Sequence, residues 1–165
     1  MSKDEDCFRI RNAIQPSTLH ISLLTKILGD NTMIYDKIST GIPKRILIID
    51  NDIETKRVFQ EAFGDSSEIL SVTNLQDAQS EMKDFHPEYI VIETALYPIS
   101  GFEMCRRIRQ IDKNVDILLI TSKHVKPNDK ARAIRLGADG YLKKPLNADM
   151  VQKETIMIYK KKCDK

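Results

Sequence analysis

The chain has 165 residues, enough for one well-buried core and too few for two typical domains. Its 26 lysine and arginine residues nearly balance 24 aspartate and glutamate residues, and a formal net charge of +2 argues against strong attraction to nucleic acid. Three cysteines, Cys7, Cys105 and Cys163, fit neither a disulfide framework nor a zinc site. Without an apolar run of 18 residues or a signal peptide, the sequence predicts a cytoplasmic protein with neither membrane nor nucleic-acid partners.

From residue 43 onward, strand and helix patterns alternate five times. Apolar runs predict strands near 45–49, 68–72, 89–92, 115–120 and 140–142, and helical spacing predicts helices near 53–63, 75–84, 101–110, 127–136 and 148–160. Asn74 is placed to cap the second helix, Pro127 to begin the fourth, and Gly137 to end it in a left-handed conformation. Strands that are apolar on both faces indicate a parallel sheet covered by helices, so the fold class is a doubly wound α/β sheet.

Residues 1–42 precede this pattern and are predicted to be an N-terminal extension, whereas 43–161 form the α/β domain and 162–165 a basic tail. Within the extension, the stretch 18–28 repeats leucine and isoleucine at helical spacing and Gly29 is a natural stop, although alternation leaves a strand open. Its apolar stripe has to be buried. The segment could pack within its own chain, form a homodimer interface or bind another protein.

Polar side chains follow four of the predicted strands at the points where those strands end. Because the carboxyl ends of parallel strands meet at one edge of a sheet, we expect these side chains to converge there. After the fifth strand, the peptide bond between Lys144 and Pro145 is compatible with a cis conformation. The residues concerned are Asp50, Asn51 and Asp52 after the first strand, Glu93 after the third, Thr121 after the fourth and Lys144 after the fifth.

These pieces, in this order and spacing, resemble the receiver domain of bacterial two-component response regulators. The matching segments are the acids after the first strand, Glu93 with Gly101-Phe102 behind it, Thr121-Ser122, Gly137 to Tyr141, and Lys143-Lys144-Pro145. The resemblance implies a flavodoxin-like (βα)5 fold and a non-enzymatic signalling module. In that family an acid pair binds Mg²⁺ and a third-strand aspartate takes a phosphoryl group from a histidine kinase. A lysine and a hydroxyl contact the phosphoryl oxygens.

Carried over position by position, Asp50, Thr121 and Lys144 fit the family pattern, whereas Glu93 and Asn51 depart from it. Glutamate is one methylene longer than aspartate, so its carboxylate is pushed toward the phosphoryl position, where it is a poor nucleophile. The neutral Asn51 replaces a charged metal ligand, so Mg²⁺ is expected to bind weakly, with Asp50 as its remaining ligand. The sequence therefore predicts that no cofactor is required.

Simpler roles for the same residues stay open. Glu93 could be only a structural ion-pair partner of Lys144, and Asp52 suits a helix cap better than a metal ligand. Thr121 could merely form local hydrogen bonds within its loop. Tyr141 stands at the position of an aromatic residue that in this family swings between buried and exposed states, but it could equally be a half-buried tyrosine of an edge strand.

The resemblance predicts an atypical, stand-alone pseudo-receiver in which Glu93 is a permanent anion. It would signal through contacts with a histidine kinase or a downstream effector, by way of the surface formed by the fourth helix, fifth strand and fifth helix. The alternative is a phosphorelay receiver that uses Asp50 or Asp52 as its phosphoacceptor. A flavodoxin-like ligand-binding or hydrolytic protein is a third class, which the absence of a glycine-rich phosphate cradle disfavours.

Overall fold

The computed structural model describes residues 42–123 and 126–163, and every structural statement below concerns those residues. The chain divides into two units, residues 1–42 and 43–165, and the described residues belong almost wholly to the second. The amphipathic stretch predicted over residues 18–28 lies outside the described residues. No helix in the described part of the chain is long and apolar enough to cross a membrane.

Five parallel strands form one sheet in the order β2-β1-β3-β4-β5. They are β1 (Arg45–Ile49), β2 (Glu68–Val72), β3 (Tyr89–Glu93), β4 (Asp116–Thr121) and β5 (Gly140–Lys143). Every residue of β3 is buried, as a central parallel strand covered by helices on both faces requires. The predicted doubly wound sheet is confirmed, with each strand within one residue of its expected bounds.

Five helices connect and cover the strands. They are α1 (Ile53–Phe63), α2 (Leu75–Asp84), α3 (Gly101–Ile111), α4 (Asp129–Arg135) and α5 (Ala148–Cys163). The predicted cap of α2 is confirmed, because the Asn74 side chain accepts a hydrogen bond from the backbone of Asp77 at 2.9 Å. Gly137 follows α4 with φ of +100°, in the left-handed region that favours glycine. The sheet order reverses at β1, so a crevice opens between the carboxyl ends of β1 and β3.

The prediction for α4 was wrong at its start. Pro127 does not begin the helix, which starts two residues later at Asp129. Asn128 makes no side-chain cap bond, and the Asp129 carboxylate instead accepts from the backbone N–H of Lys126 at 2.8 Å. This bond closes the turn that contains Pro127, so the helix loses its expected first residues.

The end of α5 also differs from its prediction. The helix continues to Cys163, beyond the expected end near 160, so residues 162 and 163 belong to it. Lys162 anchors this last turn by donating to the Asn114 carbonyl at 2.7 Å and pairing with Asp116. Burial raises the pKa of Asp116, and Lys162 acts against that rise.

The start of α3 packs directly on the end of β3 and fixes the loop between them. A Cβ on Gly101 would lie 2.2 Å from the Glu93 carbonyl oxygen, so only glycine permits this approach. The Gly101 N–H donates to the Thr94 carbonyl at 3.1 Å. The loop after Glu93 is therefore held against the helix that follows it.

Candidate functional site

Lys144, just after β5, is the centre of a charge cluster at the carboxyl edge of the sheet. Its Nζ donates to Asp50 Oδ2 at 2.6 Å and to Asp52 Oδ2 at 3.0 Å, and it lies 3.5 Å from Glu93 Oε2. The side chains of Lys144, Asp50 and Glu93 are only 12%, 3% and 6% exposed. One ammonium thus faces three carboxylates, two of which are largely closed to solvent. The Lys144–Pro145 peptide bond is cis.

Asp50 and Asp52 hold the β1 end of this cluster. Asp50 Oδ1 accepts from the backbone N–H of Asp52 at 3.0 Å, and its Oδ2 accepts from the Thr55 hydroxyl at 2.5 Å. Asp52 caps α1 by accepting from the Glu54 N–H at 3.0 Å. Its hydrogen bond to Lys144 is the main reason that its pKa lies below the usual value, and the Glu54 N–H acts in the same direction. The predicted helix cap is therefore confirmed, and Asp52 also accepts a hydrogen bond from Lys144.

Glu93 is held mainly by the loop that follows its own strand. Its Oε1 accepts from the Ala95 N–H at 2.9 Å and the Thr94 hydroxyl at 3.2 Å, with the Ser122 N–H at 3.4 Å. Its Oε2 is buried and has no hydrogen-bond partner among the described residues. The 3.5 Å separation from Lys144 is therefore an ion pair without a hydrogen bond, and Oε2 points at the ammonium.

Two buried threonine hydroxyls meet beside Glu93. Thr94 Oγ1 and Thr121 Oγ1 are 2.7 Å apart, and Thr121 Oγ1 also accepts from the Lys123 N–H at 3.2 Å. Thr121 is among the predicted site residues, but Thr94 is not. Thr94 looks like an ordinary loop residue because it carries no charge. Pairing the ends of β3 and β4 in parallel register would have placed it beside Thr121.

Tyr141 lies in the core rather than half-exposed on the edge strand, with only 7% of its surface accessible. Its ring stacks on Phe102, with centroids 6.4 Å apart and planes at 24°. The Arg132 guanidinium lies 4.4 Å from the centroid of the Phe102 ring. Burial raises the pKa of the Tyr141 phenol, and the neighbouring Thr121 hydroxyl acts in the opposite direction. The Tyr141 side chain is therefore buried.

The charge state of Lys144 follows from these contacts. Burial alone would lower the pKa of its ammonium, but the hydrogen bonds to Asp50 and Asp52, together with the charges of Asp50 and Glu93, outweigh it and raise the pKa. Lys144 is therefore a firmly protonated cation within the acidic cluster.

The same contacts bear on metal binding. No group of three or more histidine, cysteine, aspartate or glutamate residues in the described part of the chain is arranged to hold a metal ion. The Oδ2 atoms of Asp50 and Asp52 both accept from Lys144. Asn51 is exposed and brings no charge. The donor set fits the ammonium that it already holds better than a divalent cation.

Comparison with known families matches residues 46–155 to the response regulator receiver domain. The chain therefore belongs to the family of response regulator receiver domains. Solved structures agree on the fold. The receiver domain protein, described as CheY-like, from Methanospirillum hungatei is 18% identical with a TM-score of 0.63, covering 74% of this chain and 98% of that one. The chemotaxis response regulator CheY4 of Vibrio cholerae is 21% identical with a TM-score of 0.62, covering 71% and 99%.

Curated relatives include response regulators with longer chains. The sensory transduction protein BceR of Halalkalibacterium halodurans is 29% identical over 108 residues, covering 65% of this chain and 46% of that protein. The response regulator protein GraR of Staphylococcus epidermidis is 27% identical over 121 residues, covering 71% and 52%. The chain thus spans about half the length of the curated relatives it matches.

Proposed function

We propose that this chain acts in two-component signal transduction as an atypical receiver that works through protein contacts, with Glu93 as a fixed anion at the phosphoacceptor position. The observation that carries the proposal is the cluster in which Lys144 faces Asp50, Asp52 and Glu93. A receiver that accepts phosphoryl groups brings a new anion to its lysine. Here the lysine already faces three, so the charge that a phosphoryl group would supply is partly present in the unmodified chain.

The geometry of Glu93 argues against its use as a nucleophile. Three donors surround its Oε1, from Ala95, Thr94 and Ser122. The other oxygen, Oε2, is buried and faces the Lys144 ammonium. A nucleophilic oxygen needs an open approach and an unshared lone pair, and neither carboxylate oxygen has both. We therefore assign Glu93 the role of a fixed charge that faces the Lys144 ammonium.

Lys144 also supplies the positive charge that a bound Mg²⁺ would bring to this site. In this family Mg²⁺ would neutralise the acidic site and align a phosphoryl group when bound. In this chain Asp50, with Asp52 or Glu93, would have to hold it, and Asp50 and Asp52 would first have to release Lys144. We therefore propose that Mg²⁺ is not required and binds weakly.

The output surface in this proposal consists of α4, β5 and α5, next to the inward Tyr141. Several exposed cations in these elements and in the loop before α4 form no ion pair within the described residues, while the acids Asp139 and Asp149 pair with Arg109 and Lys153. Ile134 on α4 is 46% exposed and offers an apolar contact. A partner of this surface, whether a histidine kinase or a downstream effector, should therefore present an acidic segment. These cations include Lys123 and Lys126 before α4, Lys130 and Arg135 on α4, and Lys143 on β5.

One observation favours phosphoryl transfer as the second candidate function. The Asp52 side chain is 46% exposed, so it is the most accessible carboxylate of the cluster. A phosphodonor could reach it without opening the core. Transfer to Asp52 would remove its charge-assisted bond to Lys144 and its cap on α1, which weighs against this route.

The proposal is tested by replacing Glu93 with glutamine, which keeps the shape and removes the charge. Tyrosines are labelled with 3-fluorotyrosine, and the Tyr141 resonance is assigned by its loss in a Tyr141→Phe variant. Glu93→Gln is expected to shift the Tyr141 ¹⁹F resonance toward that of an exposed tyrosine. Glu88→Gln, at an exposed residue that precedes the same strand, is the matched control. An unmoved Tyr141 resonance in Glu93→Gln would leave Glu93 as a structural ion-pair member only.

A further inference from the structure

We propose that Thr94 is a positioning residue that transmits the fixed charge of Glu93 to Thr121, and this inference rests on the function proposed above. No hydrogen bond joins Glu93 directly to the Thr121 side chain in the described part of the chain. Thr94 bridges the gap, with its Oγ1 3.2 Å from Glu93 Oε1 and 2.7 Å from Thr121 Oγ1. The shortest connection from the anion to the hydroxyl therefore runs through Thr94.

The backbone holds this bridge in place. In the parallel register of β3 and β4, Glu93 lies beside Ile120, and the Thr94 N–H donates to the Ile120 carbonyl at 2.8 Å. The next pair along the two strands is Thr94 with Thr121. On the other side, the Gly101 N–H donates to the Thr94 carbonyl. The Thr94 backbone is thus fixed from both sides, which keeps its hydroxyl within reach of both Glu93 and Thr121.

Solvent does not compete with the bridge. The exposed fraction is 8% for Thr94, 2% for Thr121 and 4% for Glu93. A hydroxyl that loses its partner in such a place is left unsatisfied, because water cannot readily replace the bond. The three groups are therefore coupled more strongly than they would be at the surface.

The donors and acceptors of these side chains give the chain of hydrogen bonds a direction. Ionised Glu93 can only accept, and each hydroxyl has one proton to donate and two lone pairs. When the Thr94 proton points to Glu93 Oε1, the Thr94 oxygen is free to accept the Thr121 proton. Thr121 Oγ1 meanwhile accepts from the Lys123 N–H. Every donor then has an acceptor, and the chain of bonds ends on the negative charge.

This arrangement explains how a fixed anion could act on Tyr141. Thr121 is held toward Thr94, and the Tyr141 phenol lies next to Thr121 in its inward position. Without the Thr94 hydroxyl, the Glu93 charge would remain in place, but its hold on Thr121 would be lost. Glu93 and Thr94 should therefore act as one unit on Tyr141.

The experiment compares Thr94→Val, which replaces the hydroxyl by a methyl group, with Thr94→Ser, which keeps the hydroxyl, in the full chain labelled with 3-fluorotyrosine. Thr94→Val is expected to shift the Tyr141 resonance in the same direction as Glu93→Gln, and Thr94→Ser to leave it at the wild-type position. In the double variant Glu93→Gln/Thr94→Val, the shift should not exceed that of the larger single variant. Thermal unfolding of each variant verifies that the chain is folded.

The outcomes separate this inference from the function on which it rests. A shift in Glu93→Gln but not in Thr94→Val would overturn the bridge and leave the proposed function standing. Equal shifts in Thr94→Val and Thr94→Ser would show that packing, not the hydroxyl, sets Tyr141, and would also overturn it. If Thr94→Val does not fold, Thr94→Ala, which also lacks the hydroxyl, takes its place in the comparison with Thr94→Ser. A Tyr141 shift in Thr94→Ala in the direction of the Glu93→Gln shift then supports the bridge, and a shift in Glu93→Gln but not in Thr94→Ala overturns it.

Discussion

Replacing Lys144 with methionine tests the charge cluster most severely. The substitution keeps an unbranched side chain and removes the ammonium from carboxylates whose side chains are 3% and 6% exposed, Asp50 and Glu93. Removing one partner of a buried ion pair costs about 3–5 kcal/mol, because the other charge stays buried without compensation. Asp52 is 46% exposed, so its share is at most about 1 kcal/mol.

The expected loss lies near the lower end of that range. Asp50 keeps the Thr55 hydroxyl, and Glu93 keeps the Ala95 N–H, so neither carboxylate is left without donors. We therefore expect the free energy of unfolding in Lys144→Met to fall by about 3 kcal/mol, a large part of the roughly 5–15 kcal/mol typical of a domain. Urea unfolding followed by circular dichroism measures it.

The neighbouring lysine supplies the control. Lys143 is exposed and forms no ion pair within the described residues, so Lys143→Met should change the unfolding free energy by no more than about 0.5 kcal/mol. Mg²⁺ should also stabilise Lys144→Met more than wild type, since three carboxylates lose their resident cation. A loss below about 1 kcal/mol in Lys144→Met, or equal losses in both variants, would refute the account of the cluster.

Three further predictions concern binding and pH. Glu93→Gln should weaken binding of the partner by about 1–3 kcal/mol, measured by calorimetry, and unchanged affinity would uncouple Glu93 from the output surface. Mg²⁺ titration followed by amide NMR should show weak binding, and sub-millimolar affinity centred on Asp50 would contradict the role of Lys144 as resident cation. Because folding raises the pKa of Lys144, its stabilisation should be complete below about pH 10.4 and be lost as pH rises through the folded-state pKa. Lys144→Met should lack that alkaline loss in urea unfolding.

The strands could be predicted from the sequence because their apolar residues leave little choice. A run such as Ile46 to Ile49, apolar on both faces, has to be covered by helices on both sides of a sheet. The polar residues behind such runs then meet at one edge by topology alone. For this reason the sequence predicts that the acids after β1 lie near Glu93 and Lys144.

What the sequence could not provide depends on side-chain direction and local turns. The start of α4 was misplaced because Pro127 is compatible with both a first helical residue and a turn, and the Asp129 bond to Lys126 decides between them. Thr94 was missed because its importance comes from the register of two strands, which residue type does not reveal. The path of the loop after Glu93 also depends on local turns, and its Tyr97–Pro98 peptide bond is cis.

The central claim is that this receiver carries its charge in Glu93 and takes no phosphoryl group. The most direct measurement is intact mass spectrometry after incubation with acetyl phosphate and Mg²⁺. The variant Asn51→Asp/Glu93→Asp restores the family residue at both positions that depart from the family pattern. It serves as the positive control and is expected to gain one phosphoryl group. Wild type should show no added phosphoryl mass under the same conditions. A phosphoryl adduct on the wild-type chain that disappears when Asp50 or Asp52 is replaced by asparagine would contradict the claim and identify a phosphorelay receiver.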